Sequence, residues 1–303
     1  MVADDGAHSP RNTFVAKLPV QHVSVGHYEN FPVASKMVPA RYRGAIVAIY
    51  RFARAADDIA DEGDGDVPTR LAALESYGKA LDAIERGDTP ALLADLALAV
   101  RAHALPLAPF RDLLSAFAQD VTVERYATFA DLLDYCRRSA NPIGRLVLTV
   151  YGVPAVAQSP AHFAASDAIC TGLQLTNFWQ DVAADYLRGR IYVPQEDLAQ
   201  FDVTESQIAD GRADEKWRAL SAFETARARS LLEAGRPLTR ALPLRLALEL
   251  RAIIAGGSRV LDRIDARNGD VFQAPLRLTA HDWVAVAFRA IVPRRASSRP
   301  ASA

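Results

Sequence analysis

Helical periodicity is the feature of this sequence that most restricts its fold. Apolar residues recur at intervals of three and four along nearly the whole chain, and the helix-favouring residues alanine, leucine and arginine are abundant. Runs of alternating β-branched residues flanked by hairpin turns, which mark strands, are missing. At 303 residues and 50% hydrophobic content the chain can enclose a large core. The sequence therefore predicts an all-α protein.

Prolines and glycines divide this pattern into about ten segments. We expect helices near 39–62, 69–86, 90–104, 107–119, 128–139, 142–151, 160–187, 212–234, 237–267 and 280–291. The two ends, 1–20 and 293–303, have the polar composition of disordered segments. Residues 21–292 are then one domain, because no long polar linker interrupts them.

Composition excludes several classes of function. A net charge of -1 and a pI of about 6.6 provide no basic field for nucleic acid. Two cysteines, Cys136 and Cys170, do not form a disulfide framework, which favours a reducing compartment. The N-terminus lacks the apolar core of a secretory signal, and no apolar stretch approaches the roughly 20 residues of a membrane span. We expect a cytoplasmic protein.

The helix predicted at 39–62 carries an unusual concentration of carboxylates near its end. At about 100° per residue, one face holds its acids and an arginine within about 100° of arc. That face comprises Tyr50, Arg54, Asp57, Asp58 and Asp61. If the face is buried, it needs compensation, which hard divalent cations such as Mg²⁺ supply. A solvated last turn, where carboxylates oppose the helix dipole at little cost, is the other interpretation.

A second polar stripe follows in the segment GLQLTNFWQDVAADYLRGRIYVP (172–194). Its polar residues share one helical face while their neighbours are apolar: Gln174, Asn177, Asp181 and Asp185. Arg188, Arg190 and Tyr192 come directly afterwards. Two such stripes facing each other would clamp metal ions that, with the arginines, hold a diphosphate. A buried polar network or a partner-facing surface is the alternative.

Four motifs together resemble a known family. DDIAD (57–61), NFWQDVAAD (177–185), RGRIYVP (188–194) and HYENFPVASKMVP (27–39) resemble the squalene/phytoene synthases, which join prenyl diphosphates head to head. The similarity spans roughly residues 22–290. It implies an all-α isoprenoid synthase fold with a central apolar cavity, two facing aspartate-rich motifs and catalytic Mg²⁺.

The resemblance also implies roles for single residues. The metal ligands are expected among Asp57, Asp58, Asp61, Asn177, Asp181 and Asp185. Residues expected to act in catalysis are Tyr50, Arg54, Tyr135 and Asn177. Residues expected to bind substrate are His27, Phe31, Arg54, Gln174, Arg188, Arg190 and Tyr192. Aromatic faces expected to stabilise a cation are those of Phe31, Tyr50, Phe178 and Trp179.

Three departures from the family pattern point to one branch. They are His27–Phe31, Ser139–Gly144 and Gln180. They resemble the hydroxysqualene synthases of bacterial hopanoid pathways, in which a sister enzyme supplies presqualene diphosphate and water completes the reaction. Candidates for positioning that water are Asn30, Tyr135, Asn141, Gln174 and Asn177. No Gly-rich strand–helix turn for a nicotinamide is present.

Other functions stay open at this point. A squalene, dehydrosqualene or phytoene synthase would condense two prenyl diphosphates itself, and an all-α assembly factor would keep the fold without catalysis. We also expect functional coupling to a presqualene diphosphate synthase. The basic tail at 293–295 suggests peripheral contact with an anionic inner membrane.

Overall fold

A computed structural model describes residues 38–62, 65–152 and 159–291, and apart from one isolated bridge its regular elements are helices. They are α1 (Ala40–Glu62), α2 (Val67–Glu85), α3 (Ala94–His103), α4 (Ala108–Asp120), α5 (Phe129–Ser139), α6 (Asn141–Tyr151), α7 (Pro160–Leu187), α8 (Gln195–Gln200), α9 (Glu205–Ala209), α10 (Glu215–Gly235), α11 (Leu238–Ala241), α12 (Leu244–Ala266) and α13 (Ala280–Ile291). A 3₁₀ turn, Ala91–Leu93, precedes α3. The all-α prediction is confirmed. None of the helices described has the length and apolar character needed to cross a bilayer.

Side chains at the helix starts explain several boundaries. Asp66 accepts a hydrogen bond from the Thr69 amide (3.0 Å) and caps α2. Thr128 and Asp131 form a reciprocal capping box at α5. Asp214 accepts from the Trp217 amide (3.1 Å), so α10 begins at Glu215 instead of near 212. Such caps satisfy amides that have no partner within the helix.

The chain between α7 and α12 departs from the sequence prediction. A continuous helix over 237–267 is wrong, because Leu242 is extended (ψ 151°) directly before Pro243 and separates α11 from α12. A residue before proline avoids the helical region for steric reasons. The short helices α8 and α9 were not predicted. Both lie between turns that are too close together for a helical period to show.

Helix α7 lies centrally and packs along α10, with α5, α6 and α12 also against it. Helix α1 packs against α2, α3, α4 and α6, so α6 contacts both helices that carry acidic motifs. Two glycines permit close crossings on α7. A Cβ on Gly144 would lie 2.5 Å from Ser166 Oγ, and one on Gly235 would lie 2.6 Å from the Ala165 carbonyl oxygen. Larger residues at either position would push these helices apart.

A parallel pairing after α4 and α7 aligns the two segments that follow these helices. The Ile191 amide donates to the Glu124 carbonyl at 2.9 Å, forming an isolated bridge between Arg125 and Ile191. The Arg125 guanidinium also donates to the Gly189 carbonyl (2.6 Å). These bonds hold the chain after α7 beside the C-terminal end of α4 and so fix the position of Arg190.

Candidate active site

The acidic face of α1 lies at the edge of the core. Its opposite face is fully buried through Ile49, Phe52 and Ala56. Arg54 lies between two carboxylates of its own helix, with Nη1 3.3 Å from Asp57 Oδ2 and Nη2 2.7 Å from Asp58 Oδ1. This face is neither fully solvated nor sealed.

The three α1 carboxylates differ in how much of the side chain is accessible to solvent. The side chain of Asp58 is 44% exposed, that of Asp57 34% and that of Asp61 23%. Tyr50, one turn before Arg54, is half-buried. Asp61 is thus the most enclosed carboxylate of the first motif.

The polar stripe of α7 also lies where the helix leaves the core. Leu175, Phe178 and Val182 are buried on one side. Among the predicted site residues on the other side, Asn177 is exposed and the rest are half-buried: Gln174, Asp181 and Asp185. Gln180 does not belong to this stripe. It is buried, and its amide donates to the Leu276 carbonyl at 3.0 Å.

Arg190 joins the two acidic motifs. The chain turns after α7 at Gly189 (φ +82°), and the Arg190 amide donates to the Asp185 carbonyl at 2.9 Å. Its guanidinium donates from Nη1 to Asp61 Oδ1 at 2.5 Å, and its side chain is only 12% exposed. Arg188 remains 54% exposed, with Nη1 3.9 Å from Asp185 Oδ1. The structure therefore brings the acidic ends of α1 and α7 together around one arginine.

Burial and mutual repulsion raise the pKa of these carboxylates and favour their neutral forms. Burial, followed by the charge of Asp61, raises the pKa of Asp57 to about 7, although Arg54 opposes the rise. Burial and the charge of Asp181 raise the pKa of Asp185 to about 7. Burial raises the pKa of Asp181 to about 6, against the opposing charge of Arg188. Crowded acids of this kind are stabilised by added positive charge.

The donor set fits a hard divalent cation. Mg²⁺ takes one or two carboxylates and completes its shell with waters and substrate phosphates. Within the ranges that the structure describes, no three acidic, histidine or cysteine side chains form a ready ligand group. Carboxylates that lack a complete protein cage yet gain from positive charge are consistent with that mode of binding.

Asp120, which the sequence analysis did not identify, lies beside this face. It is the last residue of α4 and only 7% exposed. The Tyr135 hydroxyl donates to its Oδ2 at 2.6 Å, the Tyr192 hydroxyl donates to its Oδ1 at 3.4 Å, and Arg190 Nη2 donates to its carbonyl oxygen at 3.0 Å. Burial raises the pKa of Asp120 to about 7, with the Tyr135 hydrogen bond opposing.

A signal for Asp120 does exist in the sequence. Leu113, Phe117 and Asp120 are spaced at four and three along α4, so the acid continues a buried apolar stripe. A single carboxylate in such a stripe has no motif around it. Its partners come from α5 and from the segment after α7.

Four buried rings form a cluster that includes the two tyrosines bonded to Asp120. Phe178 and Tyr192 stack with centroids 3.8 Å apart and planes 8° from parallel. Tyr135 lies 6.1 Å from Phe178, and Tyr126 lies 5.5 Å from Tyr135. Three of the predicted site residues, Tyr135, Phe178 and Tyr192, are thus brought into one cluster.

Other predicted residues lie elsewhere. Asn141 is buried and accepts a hydrogen bond from the Thr171 hydroxyl (2.9 Å), which ties α6 to α7. Trp179 is buried at 4% exposure. His27, Asn30 and Phe31 lie outside the described residues. A partly open cavity of about 110 Å³ between α10, α12 and α13 is lined by none of the predicted residues. The central apolar cavity stays a prediction.

Comparison with known proteins identifies one matching family and relatives that align over most of the chain. The family model for squalene/phytoene synthase matches residues 25–282. A hydroxysqualene synthase of Sinorhizobium fredii is 34% identical over 89% of this chain and 91% of its own length. A 15-cis-phytoene synthase of Synechococcus elongatus is 32% identical over 84% of this chain and 85% of its own length.

Solved structures of related proteins have the same fold as this chain. The squalene synthase HpnC of Alicyclobacillus acidocaldarius is 39% identical, covers 80% of this chain and 90% of its own, and has a TM-score of 0.73. A dehydrosqualene synthase in complex with a ligand superposes with a TM-score of 0.75 over 84% of this chain and 88% of its own, at 22% identity, which shows the fold alone. The isoprenoid synthase fold is confirmed.

Proposed function

This chain belongs to the squalene/phytoene synthase family, whose members act on prenyl diphosphates, and we propose that it converts presqualene diphosphate and water into hydroxysqualene and diphosphate. One observation carries the proposal: Arg190 and two acidic helix ends, Asp61 of α1 and Asp185 of α7, meet at one place. Two relatives at 34% and 35% identity, from Sinorhizobium fredii and Rhodopseudomonas palustris, bear the name hydroxysqualene synthase.

The residues at this place suit ionisation of an allylic or cyclopropylcarbinyl diphosphate. The carboxylates that would hold Mg²⁺ are Asp57, Asp61, Asp181 and Asp185. When bound, Mg²⁺ supplies positive charge that stabilises the leaving diphosphate. Arg54, Arg188 and Arg190 border the same face and would donate hydrogen bonds to the phosphate oxygens.

The aromatic cluster suits the cation that remains. A carbocation must survive while its skeleton rearranges, so its surroundings have to exclude bulk water. Tyr135, Phe178 and Tyr192 are at most 8% exposed. The charges of Arg190 and Asp185 both act on the Tyr192 hydroxyl, so the cluster adjoins the acidic face. Their π faces would stabilise cationic carbon. The chain would thereby hold the cation until a single water captures it.

Condensation of two prenyl diphosphates is the second candidate function. The 32% identity to the 15-cis-phytoene synthase over 85% of that protein favours it. Both reactions need diphosphate ionisation, so the acidic face does not separate them. Retention of all four motif aspartates disfavours an assembly factor without catalysis.

A product assay separates the two candidates. Purified protein with Mg²⁺ is incubated with presqualene diphosphate or with farnesyl diphosphate, each with and without NADPH, and products are identified by mass spectrometry. We expect a C30 alcohol from presqualene diphosphate that is indifferent to NADPH. A C30 hydrocarbon from farnesyl diphosphate would instead establish a condensing synthase.

Two variants of α7 provide a matched control. Asp181→Asn removes an acid of the second motif and should abolish Mg²⁺-dependent turnover. Asp167→Asn removes an acid of the same helix that pairs with Arg145 at 2.5 Å, and it should retain turnover. Equal activity of both variants would argue against a metal site on the acidic face.

The proposed substrate has a consequence for partners. If presqualene diphosphate is the substrate, another enzyme must supply it, so functional coupling to a presqualene diphosphate synthase is part of the proposal. Peripheral membrane contact through Arg294 and Arg295 falls outside the described residues and stays a prediction.

A further inference from the structure

The buried pair formed by Asp120 and Tyr135 is short and isolated from solvent. Its hydroxyl–carboxylate distance is 2.6 Å, and the two residues are 7% and 3% exposed. Asp120 belongs to α4 and Tyr135 to α5, two helices that pack directly against each other. A charge-assisted bond of this length between rigid helices fixes the orientation of the phenol.

The direction of this hydrogen bond determines whether the Tyr135 hydroxyl can donate to or accept from a second partner. A phenol has one proton, and an ionised carboxylate only accepts. The Tyr135 proton is therefore directed at Asp120, and the free lone pair of its oxygen is an acceptor. Burial raises the pKa of Tyr135 well above its usual value, so the residue is a neutral phenol. By itself it is a poor base, but it can pass a proton on.

The pair also lies next to the acidic face. Arg190 donates to the Asp120 carbonyl oxygen and to the Asp61 carboxylate, so one side chain connects both. The Tyr135 ring is 6.1 Å from that of Phe178 on α7. The Tyr135 oxygen thus belongs to the aromatic cluster and is bonded to Asp120, whose carbonyl oxygen accepts from the arginine of the proposed diphosphate site.

We propose that Tyr135 accepts a proton from the water that captures the cation and simultaneously gives its own proton to Asp120. The inference rests on the proposed function and adds its final step. The water oxygen forms a bond to cationic carbon and loses one O–H bond. Its proton moves to Tyr135 Oη, and the Tyr135 proton moves to Asp120 Oδ2. The products are the alcohol and a neutral Asp120, so charge balances.

The electrostatic surroundings of Asp120 suit this role. A pKa of about 7 matches a general base that works near neutral pH. The charged groups that face it are Arg190, Asp61 and Asp57. Tyr126 and Tyr192 are its other titratable neighbours. In this relay Tyr135 is the catalytic residue, and Asp120 is the positioning residue that receives the proton.

The test measures partition between products, which a structural role alone would not change. Presqualene diphosphate is incubated with the wild type and with Asp120→Asn and Tyr135→Phe, and the alcohol formed per diphosphate released is measured. Both variants should lower this ratio about tenfold or more, because neither retains the relay. The cation would then lose a proton from carbon to the departed diphosphate and give a C30 hydrocarbon.

Tyr151→Phe is the matched control. Tyr151 is 8% exposed and lies on α6 outside the aromatic cluster, with its ring 4.7 Å from that of Tyr42. Its ratio should equal that of the wild type. Circular dichroism verifies folding, and if Asp120→Asn does not fold, Tyr135→Phe decides.

The outcomes are distinct. An unchanged ratio in both relay variants, even with slower turnover, would overturn the relay and leave the proposed function intact. A wild type that releases no diphosphate, or releases it without alcohol, would refute the proposed function and with it this step.

Discussion

Replacing Asp57 by asparagine should stabilise the metal-free protein while it impairs the site. Burial and neighbouring acids raise the pKa of Asp57 from 3.8 to about 7. The folded state therefore keeps a proton that the unfolded state has lost, and stability falls as pH rises from about 4 to about 7. The full shift corresponds to about 4 kcal/mol above pH 7. Because the side chain is 34% exposed, screening reduces this to about 2 kcal/mol.

Calorimetry in the presence of a chelator measures the effect. At pH 8, Asp57→Asn should raise Tm by about 4 °C, and at pH 5 it should raise Tm by less than half as much. Added Mg²⁺ and inorganic diphosphate should raise the Tm of the wild type but not that of the variant, because ligands stabilise only the state that binds them. This result is expected if the Asp57 charge destabilises the metal-free protein and ligand binding stabilises the wild type.

Asp58→Asn is the control for this experiment. Asp58 is one residue away on the same helix, more exposed at 44%, and paired with Arg54 at 2.7 Å. Its removal should give no stabilisation at pH 8. If Asp57→Asn is less stable than the wild type at pH 8, or gains equally at both pH values, the electrostatic reasoning is wrong.

Three further predictions concern ion pairs. Arg190→Gln removes the arginine that pairs with Asp61, so Mn²⁺ alone should bind the variant roughly tenfold more tightly than the wild type. Electron paramagnetic resonance measures this affinity, and equal affinities would contradict the prediction. Burial and then the charge of Asp197 raise the pKa of Glu224 from 4.5 to about 8, so the free energy of unfolding falls as pH rises across that range. In urea unfolding, Glu224→Gln should therefore add about 3 kcal/mol to the free energy of unfolding at pH 9 and much less at pH 5. Equal gains at both pH values would refute this. Asp282→Ala should lower Tm by about 5 °C, since this buried carboxylate accepts from two arginines of α12; an unchanged Tm in calorimetry would exclude that role.

Local pattern accounts for the parts of the site that were predicted. Asp57 and Asp61 are four apart on a helix whose opposite face is apolar, and Asp181 and Asp185 repeat this spacing on α7. Helical period and polarity are local properties, so the sequence alone placed each pair at the edge of a buried helix.

Contacts between residues distant in sequence could not be predicted. The pairing of Arg190 with Asp61 spans 129 positions, and the expected contact of Arg190 with diphosphate stays a prediction. Asp120 has no motif of its own, and its bond to Tyr192 spans 72 positions. The break at Pro243 was a local signal that the strong apolar period on both sides concealed.

The sequence by itself determined that the chain is helical, where the acidic faces begin and to which family it belongs. Helical period, charge spacing and motif order can be read from the sequence without knowing which segments contact one another. Only the tertiary structure decided that the Arg190 guanidinium binds both the Asp61 carboxylate and the Asp120 carbonyl oxygen, and that the Tyr135 hydroxyl donates to Asp120. Those contacts arise where α4, α5 and the turn after α7 converge, and burial at that junction, not the residues' own chemistry, sets their charge.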